Sequence, residues 1–315
     1  MKYYIAADGG GTKLQVILYD ENLHIVNTAR MSGTNTIHRP VEDMLADMKK
    51  LIDELIPAEI QEIECADLII LRYQKEFLEL LKERCIVRNY HGWGENETPL
   101  FSTGVRYGVV AQAGTGSDAF LVQPDGKKTV GGWGFILGDE GSGYDIGMNG
   151  LKAAIYSTDG RGPKTLIYDI LTEEWGLTIP WDIVTTVYGK TDYRSLVASV
   201  SRIVAKAAKQ KDAVALKIYE DAGHEMAFQV LTVIANNGGV WEGPVVTSGG
   251  AWKGCPVMFE TFRKDILEKY PDAEVRYPIF EPVVGCAVGR MLEEGCEFAD
   301  FEETICREFG EFLYR

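Results

Sequence analysis

The 315-residue sequence is poor in basic residues and in cysteine, and it contains no long apolar run. Lys and Arg together number 32 against 47 Asp and Glu, which gives a net charge of −15 at pH 7. An acidic surface repels phosphate backbones and anionic lipids, so we expect neither nucleic acid nor a membrane as a partner. No apolar run approaches the roughly 20 residues of a membrane-spanning helix, and the N-terminus resembles no signal peptide. These absences predict a cytoplasmic protein.

The cysteines follow no metal-binding spacing. The six are scattered, without CxxC pairs or a nearby histidine, at Cys65, Cys85, Cys255, Cys286, Cys296 and Cys306. This pattern argues against zinc and iron–sulfur motifs and fits reduced thiols in the cytosol. The sequence also lacks a Pro- or Ser-rich linker. Because 315 residues exceed a typical single core, we expect two domains joined by ordered segments.

Two segments of the chain share one layout. Each reads as strand, glycine-rich hairpin, strand, turn and strand, with the hairpins at residues 8–13 and 113–118. We therefore predict an α/β protein of two similar lobes, residues 1–106 and 107–315. The last helix, from about residue 300, is able to cross back onto the first lobe.

Apolar periodicity predicts the helices. Seven apolar residues between Val41 and Leu55 fall on one helical face, which predicts a helix over that range. Further helices are expected at about 75–83, 163–175, 192–210, 212–236, 256–269, 282–294 and 300–314, and strands at 67–71, 244–247 and 273–277.

The hairpin at residues 8–13, with the sequence DGGGTK, has the composition of a phosphate-binding turn. Its three glycines let the backbone approach a ligand closely, and the turn exposes N–H donors and the Thr12 hydroxyl. A carboxylate at Asp8 can hold Mg²⁺ beside the phosphates of ATP. The loop is not a Walker motif, because it lacks GxxxxGK[ST] and no helix follows it. The alternative is a plain hairpin turn.

Three later stretches extend this pattern. Residues 113–118 repeat the hairpin, and two facing loops can grip a polyphosphate from both sides. Residues 131–144 contain six glycines, Trp133 and two adjacent acids. The acids can bind sugar hydroxyls and Trp133 can contact an apolar sugar face. The alternative is a flexible surface loop. Residues 245–251 read as a strand that ends in a glycine pair, which suits an adenine or ribose.

The order of these motifs resembles the BadF/BadG/BcrA/BcrD ATPase family, and within it the N-acetylglucosamine kinase branch. The resemblance rests on DGGGTK, AGTGS, GGWGFILGDEGSGYDIG, TSGG and EPVVGCAVG, in that order. It implies a two-lobed actin-like ATPase (ribonuclease H-like) fold, with ATP and a sugar in a central cleft between duplicated lobes. It also implies ATP- and Mg²⁺-dependent transfer of phosphate to a sugar hydroxyl, with N-acetylglucosamine or a related amino sugar as the expected substrate.

The resemblance assigns roles position by position. ATP-binding positions are Asp8, Gly9, Gly10, Gly11, Thr12, Lys13, Gly114, Thr115, Gly116, Ser117, Ser248, Gly249, Gly250 and Ala251, and Asp8 is also the Mg²⁺ position. Sugar-binding positions are Asn35, Thr115, Gly132, Trp133 and Asp139, with their neighbours Thr36 and Glu140.

The catalytic base departs from the family pattern. Family kinases carry an Asn-Asp pair before the second phosphate loop, but no aspartate lies between Asp67 and Asp118 here. Matching the apolar and glycine pattern puts Glu95 at the base position, whereas matching the preceding asparagine puts Glu97 there. A glutamate accepts a hydroxyl proton as an aspartate does, but it reaches one methylene further. The segment after Leu71 is also shorter than in the family, on the expected sugar side.

Two other functions stay open at this point. Some members of the resembling family are ATPases that activate a partner enzyme, although those use cysteines to hold a shared iron–sulfur cluster. The replaced aspartate also allows a sensor that binds sugar and nucleotide with little turnover. By analogy with actin-like kinases, a homodimer is one expectation for the assembly.

Overall fold

The computed structural model describes residues 1–10, 13–34 and 39–314. Packing divides the chain into two compact units: residues 1–106 together with the chain from Pro278 onward, and Tyr107–Tyr277. The sequence predicts one lobe of residues 107–315, with the last helix, from about residue 300, able to cross back onto the first lobe. In the structure the whole segment from Pro278 belongs with the first unit, because its apolar side chains enter a core of the first sheet.

Strands and helices alternate along both units in the manner of an α/β protein. The first elements in chain order are β1 (Tyr3–Gly9), β2 (Lys13–Asp20), β3 (Ile25–Ser32), α1 (Val41–Leu55), β4 (Glu62–Ile70), α2 (Gln74–Arg84), β5 (Ile86–Gly92), α3 (Thr98–Phe101), β6 (Gly108–Ala113), β7 (Ser117–Gln123) and β8 (Gly126–Gly131). They are followed by α4 (Gly143–Asp159), α5 (Leu166–Trp175), α6 (Asp182–Tyr188), α7 (Tyr193–Lys209), α8 (Ala213–Ala235), β9 (Val245–Ser248), α9 (Pro256–Lys269), β10 (Val275–Arg276), α10 (Pro282–Glu293) and α11 (Phe298–Glu308). Among the helices of the described residues, none combines the length and the apolar character needed to cross a bilayer.

The strands of the first unit form one mixed sheet in the order β3-β2-β1-β4-β5. β1 pairs antiparallel with β2 and parallel with β4, which pairs parallel with β5. Side chains alternate along β1, so Ile5 and Ala7 join one core with α1 and α2, whereas Tyr4 and Ala6 join another with α10 and α11. Helical side chains therefore cover both faces of this sheet.

Helix α1 spans the range that its apolar periodicity predicts, Val41–Leu55. Met44, Met48 and Leu51 are buried against the sheet, which is what drives an amphipathic helix to form here. The helices predicted around α2, α5, α7, α8, α9 and α10 are also confirmed within a few residues. The last predicted helix is wrong at its end, because α11 stops at Glu308 and a 3-10 turn follows.

The second unit repeats the mixed sheet in the order β10-β9-β6-β7-β8. β6 pairs parallel with β9 and antiparallel with β7. A single extended core joins this sheet to α4, α5, α7, α8 and α9. In both units an inner strand pairs antiparallel with the strand that follows it, β1 with β2 and β6 with β7, as the repeated layout predicts.

Helix α10 packs closely on the short helix α3, because two glycines face it. A Cβ atom on Gly285 would lie 2.4 Å from the Thr98 carbonyl oxygen, and one on Gly289 would lie 2.4 Å from the Phe101 ring. Any side chain there would push the helices apart. This packing positions α3 and, with it, the loop between β5 and α3 that carries both candidate bases.

Candidate active site

The first unit gathers candidate residues at one edge of its sheet. Since β1, β4 and β5 run parallel, their carboxyl ends meet at the same edge. Asp8 lies at the end of β1, and the loop with Glu95 follows the end of β5. The Leu71 N–H donates to the Gly9 carbonyl at 3.0 Å and ties the end of β4 to the end of β1. Residues distant in sequence therefore share this edge.

Asp8 is a partly buried acid among other charged groups. Burial raises its pKa from 3.8 to about 6; Lys13 opposes the rise, and Glu281 and Glu95 add to it. The Lys13 ammonium lies 3.6 Å from the Glu281 carboxylate. The Lys13–Glu281 ion pair, together with Asp8 and Glu95, whose charges contribute to the pKa of Asp8, is here called the acid cluster.

The two candidate bases have different surroundings. The Glu97 carboxylate accepts a hydrogen bond from the Gly94 N–H at 3.0 Å, and the Glu97 N–H donates to the Gly94 carbonyl at 3.0 Å. Glu97 therefore closes the turn that leads into α3. Glu95 is an exposed residue, yet the protein atoms around its carboxyl group displace water and raise its pKa. Of the two acids, Glu95 is the one that acts on Asp8.

The turn of the first hairpin is described at its two ends. The Gly10 N–H donates to the Lys13 carbonyl at 2.9 Å, and the buried Thr34 donates its N–H to the Gly10 carbonyl at 3.0 Å. The predicted positions Gly11, Thr12, Asn35 and Thr36 lie outside the described residues. Their assignments stay predictions.

In the second unit, the AGTGS loop lies against the TSGG turn. Gln112 of β6 is paired with Ser248 of β9, so both segments leave the sheet at the same edge. Gly249 has φ +99°, and a Cβ atom there would lie 2.3 Å from the Ala113 carbonyl oxygen and 2.8 Å from the Gly114 nitrogen. Only glycine satisfies both constraints. Two predicted ATP-binding segments are therefore in direct contact.

Asp139 lies beside the second glycine loop. A Cβ atom on Gly116 would lie 2.8 Å from its carboxylate. The residue is 3% exposed, and the Arg194 guanidinium lies 3.4 Å from the same carboxylate. Asp139 also has φ +62°, an uncommon conformation for a residue other than glycine. A buried, paired carboxylate in an unusual backbone conformation is typical of a binding position rather than of a solvated surface loop.

A hydrogen-bonded layer supports this loop from behind. The buried Ser117 hydroxyl donates to the Glu140 carbonyl at 2.6 Å, and the Gln229 amide donates to the same carbonyl at 2.9 Å. The Gly132 N–H donates to the Ser117 carbonyl at 3.0 Å. The side chain of Glu140 itself is not part of this layer, and the residue is exposed. Ser117 thus connects the second loop to both ends of the stretch that carries the predicted sugar positions.

The glycine-rich stretch ends in a helix that the sequence does not predict. Reading residues 131–144 as loop is wrong for Gly143 and Tyr144, which begin α4. The Ser142 hydroxyl caps this helix by accepting the Asp145 N–H at 3.1 Å. The Gly143 N–H donates to the Gly114 carbonyl at 2.8 Å. The helix start is therefore anchored on the second loop.

The remaining predicted positions of the second unit are partly exposed and partly buried: Gly250 is exposed and Ala251 is buried. Trp133 is 77% exposed, as the sugar-face interpretation requires, and Thr115 at the loop tip is also exposed. Gly250 and Ala251 begin a 3-10 turn whose Trp252 indole donates to the Ala111 carbonyl at 3.1 Å. That hydrogen bond connects the turn to β6.

Three supporting residues carry no sequence signal of a site role: Arg194, Gln229 and Glu281. Arg194 and Gln229 come from α7 and α8, which read as ordinary amphipathic helices. Glu281 stands within the EPVVG segment, but no spacing rule connects it with Asp8 across the length of the chain. Their roles follow from contacts between distant segments, which leave no local signal.

This chain is similar to known proteins along most of its length. A family model described as the BadF/BadG/BcrA/BcrD ATPase family matches residues 7–289. The N-acetylmuramic acid/N-acetylglucosamine kinase of Clostridium acetobutylicum is 27% identical over 295 residues, covering 87% of this chain and 94% of the relative. The N-acetyl-D-glucosamine kinase of Dictyostelium discoideum is 29% identical over 314 residues, covering 90% and 96%.

Solved structures establish the fold. A protein from Porphyromonas gingivalis, provisionally described as an N-acetylglucosamine kinase, superposes with a TM-score of 0.68 at 19% identity and covers 94% of this chain and 100% of its own. A ROK family glucokinase from Streptomyces griseus, solved with glucose and AMPPNP, superposes with a TM-score of 0.54 at 14% identity and covers 92% and 98%. The predicted α/β, two-unit actin-like ATPase fold is confirmed.

Proposed function

Because the chain belongs to the BadF/BadG/BcrA/BcrD ATPase family, we propose that it is an ATP-dependent kinase that phosphorylates a hydroxyl group of an amino sugar. N-acetylglucosamine is the substrate we favour, since the two relatives described above are kinases of N-acetylated amino sugars. The observation that supports the proposal is that Asp8, at the end of β1, and the loop with Glu95, after the end of β5, lie at the same edge of the first sheet.

ATP is the phosphoryl donor in this proposal. The phosphate-binding segments are Asp8, Gly9, Gly10, Gly11, Thr12 and Lys13 in the first unit and Gly114, Thr115, Gly116 and Ser117 in the second. Ser248, Gly249, Gly250 and Ala251 form the adenosine-binding turn, an assignment supported by the close contact of Gly249 with the second loop. Backbone N–H groups and lysine stabilise the negative charge that spreads over the transferred phosphoryl group.

The acid cluster fits a Mg²⁺ ion. Asp8 and Glu281 offer carboxylate oxygens, the ligand type that Mg²⁺ prefers. The raised pKa of Asp8 reflects a carboxylate that is poorly hydrated and close to other negative charge, so a cation beside it would favour the ionised form. Mg²⁺ bound there would neutralise charge on the phosphates of ATP.

Glu95 is the base we propose for the sugar hydroxyl. Its carboxylate takes the hydroxyl proton while the sugar oxygen forms a bond to the γ-phosphorus and the bond from that phosphorus to the bridging oxygen of ADP breaks. The proton then passes from Glu95 to solvent. Glu97 is the weaker candidate, because its carboxylate already accepts the Gly94 N–H.

The sugar would be held by hydrogen bonds and by an apolar ring face. Asp139 offers a carboxylate to sugar hydroxyls, supported by its pairing with Arg194, and Trp133 offers an exposed indole. Asn35, Thr36, Thr115, Gly132 and Glu140 complete the proposed sugar positions.

A homodimer is the assembly we propose, to be measured by light scattering on a sizing column.

An ADP-release assay on a panel of sugars tests the proposed function. The panel contains N-acetylglucosamine, N-acetylmuramic acid, glucosamine and glucose, and mass spectrometry identifies any sugar phosphate. Sugar-stimulated ADP release with a matching sugar phosphate supports the kinase. ADP release that no sugar changes would indicate an ATPase that drives a partner. Tight binding of ATP and sugar without ADP would indicate a sensor.

A further inference from the structure

A second polar cluster lies in the first unit, within the sheet rather than at its edge. Cys65 and Asp67 stand two residues apart on β4, so their side chains point to the same face. Asp67 is paired in register with His91 of the parallel neighbour β5. The sequence shows no metal motif here, because 24 residues separate Asp67 from His91 along the chain.

The three side chains converge on one point. His91 Nδ1 lies 2.9 Å from Asp67 Oδ1 and 3.6 Å from Cys65 Sγ, and Cys65 Sγ lies 3.8 Å from the same Asp67 oxygen. Ligand atoms held at about 2.0–2.3 Å from a tetrahedral Zn²⁺ are spaced about 3.3–3.7 Å apart. The nitrogen–sulfur distance lies within this range, the sulfur–oxygen distance exceeds it by about 0.1 Å, and the nitrogen–oxygen distance needs to open by about 0.4 Å.

The arrangement does not suit a Cys-His-Asp catalytic triad. A triad uses both ring nitrogens, one toward the nucleophile and one toward the acid. Here Cys65 and Asp67 both face Nδ1 of His91. Convergence of sulfur, oxygen and nitrogen on one point is the arrangement that a metal requires.

Charge in this region also favours a cation. Asp67 is fully buried, and its second oxygen, Oδ2, forms an ion pair with Arg290, at 3.5 Å from Nε. The Arg290 guanidinium is itself engaged by Glu294, at 2.8 Å. With an ion bound to the thiolate and to neutral imidazole, Cys65, Asp67 and Glu294 would carry three negative charges. A divalent ion and Arg290 would carry three positive ones, so the total would be zero.

One side of the cluster is open to a ligand. A surface pocket of about 650 Å³ is lined by Cys65 and His91 together with Tyr4, Glu64, Glu293 and Glu294 among others. Asp67 lies behind them, buried in the sheet. An ion entering from this pocket would meet three protein ligands and keep one position facing solvent, which water or an exogenous ligand can fill.

We propose that Cys65, Asp67 and His91 form a Zn²⁺ site, distinct from the Mg²⁺ position of the acid cluster. Thiolate, imidazole and carboxylate together select Zn²⁺ or Co²⁺ over Mg²⁺, which prefers oxygen ligands only. The ion would also clamp β4 to β5, and the loop with Glu95 follows β5.

Co²⁺ titration of the full-length, tag-free, EDTA-treated protein tests the site. We expect one Co²⁺ per chain, with the visible absorption of a tetrahedral site and a sulfur-to-cobalt charge-transfer band. Competition with a chromophoric chelator then gives the Zn²⁺ affinity. Cys65→Ser should abolish the charge-transfer band. His91→Ala should weaken Zn²⁺ binding by more than about 100-fold, because losing a residue that only supports a ligand weakens metal binding by at most about 100-fold.

Matched controls separate this site from adventitious binding. Cys85→Ser alters another buried cysteine of the same unit, and His24→Ala alters a histidine that also contacts an aspartate, at 3.3 Å. Both should bind Co²⁺ as the unaltered chain does. Circular dichroism confirms that each variant is folded. If Cys65→Ser does not fold, Cys65→Ala replaces it in the same measurement. The proposal is overturned if the unaltered chain binds no stoichiometric ion, or if the Cys65→Ser and His91→Ala variants bind it as tightly as the controls.

Discussion

At the scale of single residues, the two glutamates of the β5–α3 loop differ in their surroundings. Glu97 holds the turn through the Gly94 N–H, whereas the negative charge of Glu95 contributes to the raised pKa of Asp8. The resemblance to family kinases leaves both candidates open, because the aspartate that normally identifies the base is absent. The hydrogen bond of Glu97 is the feature that separates them, and sequence spacing does not reveal it.

Replacing each glutamate by glutamine distinguishes the base. We expect Glu95→Gln to lower kcat by about 10²–10⁴-fold with little change in the KM for sugar, because the lost proton acceptor acts in the transition state. Glu97→Gln keeps an oxygen that can accept the Gly94 N–H, so kcat should fall by less than about 10-fold. Steady-state kinetics with the sugar found in the panel measures both. The reverse ranking would assign the base to Glu97.

The raised pKa of Asp8 predicts how Mg²⁺ dependence varies with pH. Protonated Asp8 cannot hold a cation, so the Mg²⁺ concentration for half-maximal activity should rise as pH falls through about 6. Below that pH the rise should approach about tenfold per pH unit, as for competition by a single proton. Mg²⁺ titrations at several pH values measure this. A half-maximal concentration that stays constant from pH 7.5 to 5 would argue against Asp8 as the metal position.

The same pKa shift predicts a stability change of known sign. The folded-state pKa of Asp8 is raised above 3.8, so its contribution to stability is fully present below pH 3.8 and is lost as pH rises through about 6. Asp8→Asn removes this ionisation. In EDTA, the variant should therefore have a higher Tm than the unaltered chain at pH 7.5, and the difference should shrink at pH 4.5. An equal Tm difference at both pH values would contradict the assigned burial.

At the scale of elements, apolar periodicity predicts helices such as α1, α8 and α9 because one face of each is buried in a core. Helix α4 escapes because three glycines in its first eight residues lower its helix propensity, and tertiary packing overrides that cost. Strand β5 escapes because many of its residues are exposed and polar, without a clear alternation. The glycine loops are predictable since their composition is unusual in itself.

The TSGG turn offers a matched pair of glycines for testing the adenosine-binding assignment. Gly249→Ala meets both a positive φ and a backbone contact at 2.3 Å, whereas a Cβ atom on Gly250 meets nothing within 4 Å. We expect Gly249→Ala to destabilise the protein by about 2–4 kcal/mol and to raise the KM for ATP. Gly250→Ala should change stability by less than about 1 kcal/mol. Denaturant unfolding and ATP kinetics compare them, and equal losses in both variants would refute the close contact.

At the scale of the whole molecule, chain order alone does not define the two units. The segment from Pro278 onward supplies much of one core of the first sheet, including Phe280, Val284, Val288, Phe301, Ile305 and Phe309. The sequence predicts a return only for the last helix, because periodicity indicates that a helix has an apolar face but not which sheet that face covers. By contrast, Tyr107–Tyr277 is continuous and has its own core.

Dissecting the chain tests this division. Six large apolar side chains at about 1.5–3 kcal/mol each exceed or match a typical domain stability of about 5–15 kcal/mol, so residues 1–106 alone should not fold. Residues 107–277 alone should unfold cooperatively. Since the Ile279 N–H donates to the Ser102 carbonyl at 2.9 Å, a short Gly-Ser linker from residue 106 to residue 278 should restore the first unit. Circular dichroism and thermal unfolding of the three fragments measure this, and cooperative unfolding of residues 1–106 alone would show that the C-terminal segment is dispensable to that core.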